Sequence, residues 1–275
     1  FNYCIDSCDE LFCICMRMNL LNELETAWAG KTCLCFDILD STQEYGKGLA
    51  KTESVHGTLI VADSQTAGKG RRGRIWQSPK GTTISMSLCL EPKISLEHIS
   101  GLTLVMALAV AEAIKEISSF DPQIKWPNDI VVNGKKICGI LTELCFQNGK
   151  GIVIIGVGIN VNTEEFPEEI REIASSLKIE TGKEICREAL IASVMKYFER
   201  FYEQYEKTED LSLLREAYEN MLANKDRCVY VLDPQQPYQG VAKGITDAGN
   251  LIVVREDGTT CEVYSGEVSV RGLYG

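Results

Sequence analysis

Apolar and polar positions recur along this chain with two periods, and the switches between them mark its elements. Helical spacing runs over 19–28, where Leu20, Leu21, Leu24, Ala27 and Trp28 share a face ahead of Gly30. Residues 33–39 read as a short strand entering Asp40-Ser41-Thr42-Gln43, where a small polar residue caps the next helix. A second strand spans 57–63. Residues 82–90 alternate, with Ile84, Met86, Leu88 and Leu90 on one face. Residues 102–117 are apolar nearly all round, as in a helix buried against a sheet. Asn133-Gly134 and Asn148-Gly149 predict type I′ hairpins, because both central residues of that turn need positive φ. They fold 129–132, 136–146 and 151–162 into an antiparallel meander. An acidic stretch, 163–180, is broken by Pro167 and reads as a loop with a short helix. Amphipathic helices follow over 184–205 and 211–223. Beyond Asn224, short strands at 228–232, 240–245, 251–254, 261–264 and 268–271 alternate with turn residues, as in a small β-barrel.

The predicted class is α+β: a mixed or antiparallel sheet with helices, plus a small C-terminal barrel. The expected division is an N-terminal extension at 1–18, a main domain at 19–223 and a C-terminal domain at 224–275. Lys and Arg total 28 against 39 Asp and Glu, a net charge of -11 that repels nucleic acid unless cations are locally focused. The longest apolar run, Leu102 to Val110, is too short to cross a bilayer, and nothing resembles a signal peptide. The expected compartment is cytoplasmic, with no membrane partner. Most of the twelve cysteines fall in apolar or alternating runs, where a thiol packs as a small hydrophobe. Cys4, Cys8, Cys13 and Cys15 crowd the first fifteen residues with irregular spacing. An extended start, with Met16 or Met18 as the natural first residue, accounts for them better than a metal site does.

One stretch runs against the overall charge. Gly68-Lys69-Gly70-Arg71-Arg72-Gly73-Arg74 packs three glycines and four cations into seven residues, followed by Ile75-Trp76. Glycine lets a backbone take positive φ or approach a ligand closely, and successive N–H groups in such a loop form an anion-binding concavity. Arginine adds planar forks that match carboxylate and phosphate oxygens. The composition predicts a clamp for a small polyanion, mobile when empty and ordered by its ligand.

Five motifs then occur in a fixed order: Asp40-Ser41-Thr42, the basic loop, Lys125-Trp126-Pro127-Asn128-Asp129, Gly134-Lys135-Lys136-Ile137-Cys138-Gly139-Ile140-Leu141, and Gly156-Val157-Gly158-Ile159-Asn160. In that order they resemble the biotin protein ligases, from about Leu20 onward. Gly266-Glu267-Val268-Ser269-Val270-Arg271 resembles the end of that family's SH3-like C-terminal barrel. The resemblance implies a class II synthetase-like catalytic domain and a two-step reaction. Biotin and ATP, with Mg²⁺, give biotinyl-5′-AMP and pyrophosphate; biotin then passes to a lysine of a biotin carboxyl carrier protein domain of a carboxylase. It implies biotin contacts from Ser41, Thr42, Gln43, Gln65, Lys69, Gly70, Arg71, Lys136, Gly139 and Gly158. It implies ATP or adenylate contacts from Lys69, Arg71, Arg74, Trp76, Lys125, Asn128 and Asn160. Lys125, Lys136 and Arg71 stand as the catalytic cations, and Asp129 as a Mg²⁺ contact. Trp126 and Pro127 are expected to be structural, while for Arg72 and Arg74 two roles stay open, ordering the loop or touching the ligand. Lys69 departs from the arginine more common in the family, keeping charge but losing the bidentate fork.

The alternatives are a lipoate or octanoate ligase of related fold, a non-catalytic biotin sensor, and an RNA-binding protein using the basic loop. The last requires interleaved aromatic platforms, which Trp76 alone does not supply. About forty residues precede Ser41, too few for an added helix-turn-helix domain, so a ligase without DNA binding is expected. The exposed edges of the meander are able to pair two copies into a homodimer.

Overall fold

The computed structural model of the chain describes residues 16, 18–147, 149–233, 236–264 and 270–271. Cys4, Cys8, Cys13 and Cys15, Asn148 of the second hairpin, and 266–269 of the closing motif lie outside the described residues.

A seven-stranded mixed sheet forms the centre. Its strands are β1 (Thr32–Leu39), β2 (Thr58–Gln65), β3 (Thr83–Leu90), β4 (Gln123–Lys125), β5 (Asp129–Val132), β6 (Lys135–Gln147) and β7 (Lys150–Asn160), in the order β1-β2-β3-β7-β6-β5-β4. β1 and β2 are parallel, and every other neighbouring pair is antiparallel. The predicted meander is β5-β6-β7. Its first turn has Asn133 at φ 50° and Gly134 at φ 77°, the left-handed pair that a type I′ hairpin requires.

A short helix, α1, covers 18–23. The crossover from β1 to β2 carries α2 (Thr42–Leu49), which packs on β2, β3 and β7 over a small apolar cluster including Ile60, Cys89 and Ile154. Gly46 permits that approach, since a Cβ there would lie 3.1 Å from Cys89 Sγ. The larger core holds α3 (Gly101–Ser118) and α5 (Arg187–Thr208), with Ile84, Met86, Leu88 and Leu90. β3 is therefore buried along its whole length, although only one of its faces is apolar throughout. α4 (Leu177–Thr181) is the short helix expected in the acidic stretch.

Two helices are shorter than their periodicity predicts. α1 stops before Leu24 because Ala27, Trp28 and Ala29 donate their N–H groups to the Glu199 carboxylate at 2.7, 2.7 and 2.8 Å. α6 occupies only Arg215–Asn220. Its flanks are committed elsewhere: Leu211 N–H donates to Asp247 O and Ala223 N–H to Ile124 O.

The C-terminal strands are β8 (Cys228–Val231), β9 (Tyr238–Ile245), β10 (Leu251–Arg255), β11 (Thr260–Val263) and β12 (Val270–Arg271). They form a second antiparallel sheet in the order β11-β10-β9-β8-β12. Val229, Val231, Ala242, Ile245, Leu251 and Val253 belong to the same buried cluster as the main-domain core. The principal tie is Trp126, 2% exposed. Its backbone N–H donates to Asn224 Oδ1 at 2.9 Å and its indole Nε1 to Gly249 O at 2.9 Å.

Asn224 is 1% exposed and is the acceptor for that buried backbone donor. Asn224→Ala is expected to lower unfolding stability by about 1–3 kcal/mol, the cost of stranding such a group. A urea melt measures it; an unchanged midpoint would mean that another acceptor replaces Asn224.

Candidate active site

Register across four strands builds the site. Ser85 pairs with Gly158, Gly158 with Gly139, and Gly139 with Asp129. The next row holds Ser87, Gly156 and Leu141. Paired residues share a sheet face, so glycines at 139, 156 and 158 leave a trough across β6 and β7. The trough opens into a cavity of about 560 Å³.

The N-terminus of α2 closes one wall. Ser41, Thr42 and Gln43 are each 3% exposed, and the last two belong to a buried polar network. Thr42 donates its N–H to Gln65 Oε1 at 2.9 Å, and Ser87 donates its hydroxyl to Thr42 Oγ1 at 2.9 Å and to Gln43 Oε1 at 3.1 Å. Gln43 Nε2 donates to Ile154 O at 2.9 Å, and Gln65 Nε2 to Ser78 Oγ at 3.2 Å. Two atoms stand outside this pattern. Ser41 Oγ, which does not cap its helix, and Trp76 Nε1 are buried without a hydrogen-bond partner. Buried polar atoms are normally satisfied, so these two stand out on the cavity lining.

The basic loop forms the second wall. It is a closed hairpin: Gly70 N–H donates to Arg74 O at 2.7 Å, and Trp76 N–H to Gly68 O at 2.9 Å. Its glycines work differently from the expectation. Of the three, only Gly73 takes positive φ, and the other left-handed residue is Arg72 at φ 57°. Gly68 is needed for space, since a Cβ there would collide with the Trp76 carbonyl. The hairpin lays the Trp76 indole on the trough, where a Cβ at Gly158 would collide with the ring and one at Gly139 would lie 3.3 Å from it.

Cations and carboxylates meet along the third side. Arg71 Nη1 donates to Asn128 Oδ1 at 2.6 Å, Asn128 Nδ2 donates to Asp129 Oδ1 at 3.1 Å, and Lys136 Nζ pairs with Asp129 Oδ1 at 2.7 Å. Lys136 Nζ also lies 5.9 Å from the Trp76 ring centre. Burial lowers the pKa of the Arg71 guanidinium, a shift that Asp129 opposes and that Arg72 and Arg74 reinforce. Lys125, 8% exposed, stands opposite Asp129 in the β4–β5 register. Lys69 points to the rim, where its Nζ pairs with Glu44 Oε1 at 2.8 Å. Hydrogen bonds from Lys69 and then Lys47 hold the Glu44 carboxyl below its ordinary pKa. A depressed carboxylate pKa makes this anchor present above the ordinary range and lost as pH falls through the lowered value.

Every site residue expected from the sequence lines this one cavity: Ser41, Thr42, Gln43, Gln65, Lys69, Gly70, Arg71, Arg74, Trp76, Lys125, Asn128, Asp129, Lys136, Gly139, Gly158 and Asn160. Their postures differ. Asn160 is 7% exposed and donates to Ser175 O at 3.1 Å, holding the segment beyond β7. That segment supplies a lining the sequence reading passed over, with Phe166, Pro167, Ile170, Ile173 and Ala174 forming an apolar end. Phe166, Ile170 and Ile173 do recur at helical spacing inside the acidic stretch, a signal its charge obscures. Lys136 pins the segment, donating its N–H to Ile173 O at 2.8 Å and accepting from Ser175 N–H at 3.0 Å.

The chain matches the family model described as the biotin/lipoate A/B protein ligase family over residues 35–160, and the biotin protein ligase C terminal domain over 227–271. It is 38% identical over 252 residues to the bifunctional ligase/repressor BirA of Bacillus subtilis, covering 90% of this chain and 76% of that protein. It is 31% identical over 201 residues to the biotin–[acetyl-CoA-carboxylase] ligase of Paracoccus denitrificans, covering 70% and 82%. Its fold superposes on the biotin protein ligase from Aquifex aeolicus in complex with biotin and ATP with a TM-score of 0.78 and 33% identity, covering 88% of this chain and 99% of that one.

Gly158→Ala is expected to lift the indole off the sheet and shift tryptophan emission to the red, with far-ultraviolet circular dichroism unchanged. The shift should vanish in a Trp76→Phe background. Unaltered emission would show that the ring does not rest on Gly158.

Proposed function

This chain belongs to the biotin protein ligase family, and from that membership we propose how its cavity carries out the reaction. Biotin carboxylate attacks the α-phosphate of ATP, forming biotinyl-5′-AMP and releasing pyrophosphate. The ε-amine of a lysine on a carrier protein then attacks the acyl carbon, forming an amide and releasing AMP and a proton. The observation that carries this assignment is the glycine trough, walled by a buried polar network at one end and by cations at the other.

Biotin offers a polar ureido head, an apolar bicycle and an anionic tail. The head suits the orphaned Ser41 Oγ beside Thr42 and Gln43. The bicycle suits the bare backbone of Gly156 and Gly158, and the carboxylate suits Lys136, Arg71 and Gly70. Adenylation brings one anion onto another. Cations aimed at the charge that develops lower this barrier, and positioning supplies much of the rest. Lys125 is assigned to the α-phosphate because it is nine-tenths buried at the cavity wall, where a charge acts through little water. Trp76 and the apolar Phe166–Ile173 segment suit the adenine, and Arg74, Asn128 and Asn160 its polar edge and ribose phosphate.

A magnesium ion carried in with ATP would neutralise phosphate charge. Asp129 is poorly suited to hold it, since its Oδ1 already meets Lys136 and Asn128. Among the described residues no group of three or more His, Cys, Asp or Glu gathers to receive a metal. The carrier is proposed to be the biotin carboxyl carrier domain of a carboxylase.

Pyrophosphate release with ATP should require biotin and be absent with lipoate or octanoate. Lys125→Ala should reduce it by about 100-fold, the scale of losing one electrostatic stabiliser. Release with lipoate or octanoate alone would reassign the substrate, and release with none of the three would leave a binding clamp without catalysis.

Lys69→Arg supplies a second test. A bidentate fork at the rim is expected to slow adenylate release a few-fold, read by filter retention of labelled adenylate. An unchanged rate would remove Lys69 from the ligand contacts.

A further inference from the structure

We infer that Glu180 is a positioning residue for the nucleotide, its carboxylate bracing the loop that carries the apolar end of the cavity. The inference rests on the proposed seat of adenine against Phe166, Ile170 and Ile173. Residues 164–175 leave the end of β7 and return to α4. The base of this loop is closed, since Ser176 donates its hydroxyl to Thr163 O at 2.5 Å. A loop with joined ends keeps its shape, but its placement depends on what it touches. Ser175, 1% exposed, supplies three such contacts. Its N–H donates to Lys136 O at 3.0 Å, its carbonyl accepts from Asn160 Nδ2 at 3.1 Å, and its hydroxyl donates to Glu180 Oε1 at 2.5 Å. The first two bonds tie the loop to β6 and β7. The third ties it to Glu180.

The other oxygen of the same carboxylate, Oε2, accepts from Asn133 Nδ2 at 2.6 Å. Asn133, at φ 50°, opens the hairpin between β5 and β6. Glu180 thus spans loop and hairpin, one oxygen to each. An ionised carboxylate only accepts, so the hydroxyl and the amide must both turn a donor toward it. It does this from a fixed platform. α4 is capped by Ser176 Oγ, which accepts from Ile179 N–H at 3.1 Å, and it ends at Gly182 with φ 68°. Leu177 is wholly buried, and Lys178 N–H donates to Val161 O at 2.8 Å. Glu180, Ser175 and Asn133 do not themselves line the cavity. A change at Glu180 therefore reaches a ligand by moving the loop. The opposite wall should not follow, because Thr42, Gln43 and Gln65 are bonded among α2, β2, β3 and β7.

The test is biotin-dependent pyrophosphate release by the full chain, with ATP and biotin varied separately. Trypsin cleavage after Arg171, exposed within the loop, is followed beside it. Glu180→Ala should raise KM for ATP about tenfold, the scale of one hydrogen bond to a charged group, and leave KM for biotin unchanged. Cleavage after Arg171 in the ligand-free chain should quicken, since it tracks the open population of the loop. Glu180→Gln should restore both readouts. Its amide oxygen still accepts from Ser175, and its amine can donate to the Asn133 oxygen once that amide turns over. Adding Ser175→Ala to Glu180→Ala should change nothing further, because the two act through one bond. The inference is overturned by a parental KM for ATP in Glu180→Ala, by a rise shared equally with biotin, or by unaltered cleavage. A parent chain that releases no pyrophosphate defeats the ligase reading and this inference with it. An active parent with an indifferent variant defeats the inference alone.

Discussion

Gly158 faces Gly139 across β7 and β6, and a methyl group at the first would displace the indole of Trp76. At the second it would crowd both that ring and the Lys136 ammonium, 3.1 Å from the added carbon. The site therefore depends on side chains that two adjacent strands lack. A sheet face is ordinarily paved at every second residue, and a cavity on it must be made either by a bulge or by glycine. Here the ladder stays regular through the trough, and Gly139, Gly156 and Gly158 open it without disturbing register. The cost is conformational entropy in the unfolded chain, offset by the packing of β7 between β3 and β6 over most of its length.

The electrostatic design follows from that floor. In a chain of net charge -11, the cations of the loop and of Lys125 and Lys136 are collected on one cavity. Several have carboxylate or amide partners that fix their position: Arg71 by Asn128, Lys136 by Asp129, Lys69 by Glu44. Pre-positioned cations need little reorganisation when negative charge develops, which is the property that electrostatic catalysis requires. The partner carboxylates also balance part of the positive charge collected there.

Much of this was legible in residue order. The Asn133-Gly134 hairpin, the buried α3 and the five C-terminal strands follow from local periodicity and turn chemistry, which act over a few residues. The five motifs named the cavity lining because each combines rare types, glycine with lysine or arginine, in fixed spacing. What escaped was set by distant partners. Glu199, far along the chain, ends α1 by taking three N–H groups, and no local signal encodes that. The apolar end formed by Phe166, Ile170 and Ile173 was hidden by surrounding glutamates. The loop glycines were read as allowing positive φ or close approach to a ligand, but Gly68 is there because the neighbouring backbone of Trp76 comes too close. Composition cannot separate those two uses of glycine.

The turn between β4 and β5 serves two masters. Lys125, Asn128 and Asp129 look into the cavity, while Trp126 in their midst reaches the other way, to Asn224 and Gly249. Leu104 and Leu211 of the main domain press against Gly249 as well. The C-terminal sheet is thus no detachable appendage. Cutting the chain at the apparent domain boundary would strip a tryptophan of both its hydrogen bonds and uncover the apolar flank beneath it. The same cut would loosen the backbone that carries the buried lysine. Two sheets of different architecture thus share one buried cluster and one tryptophan.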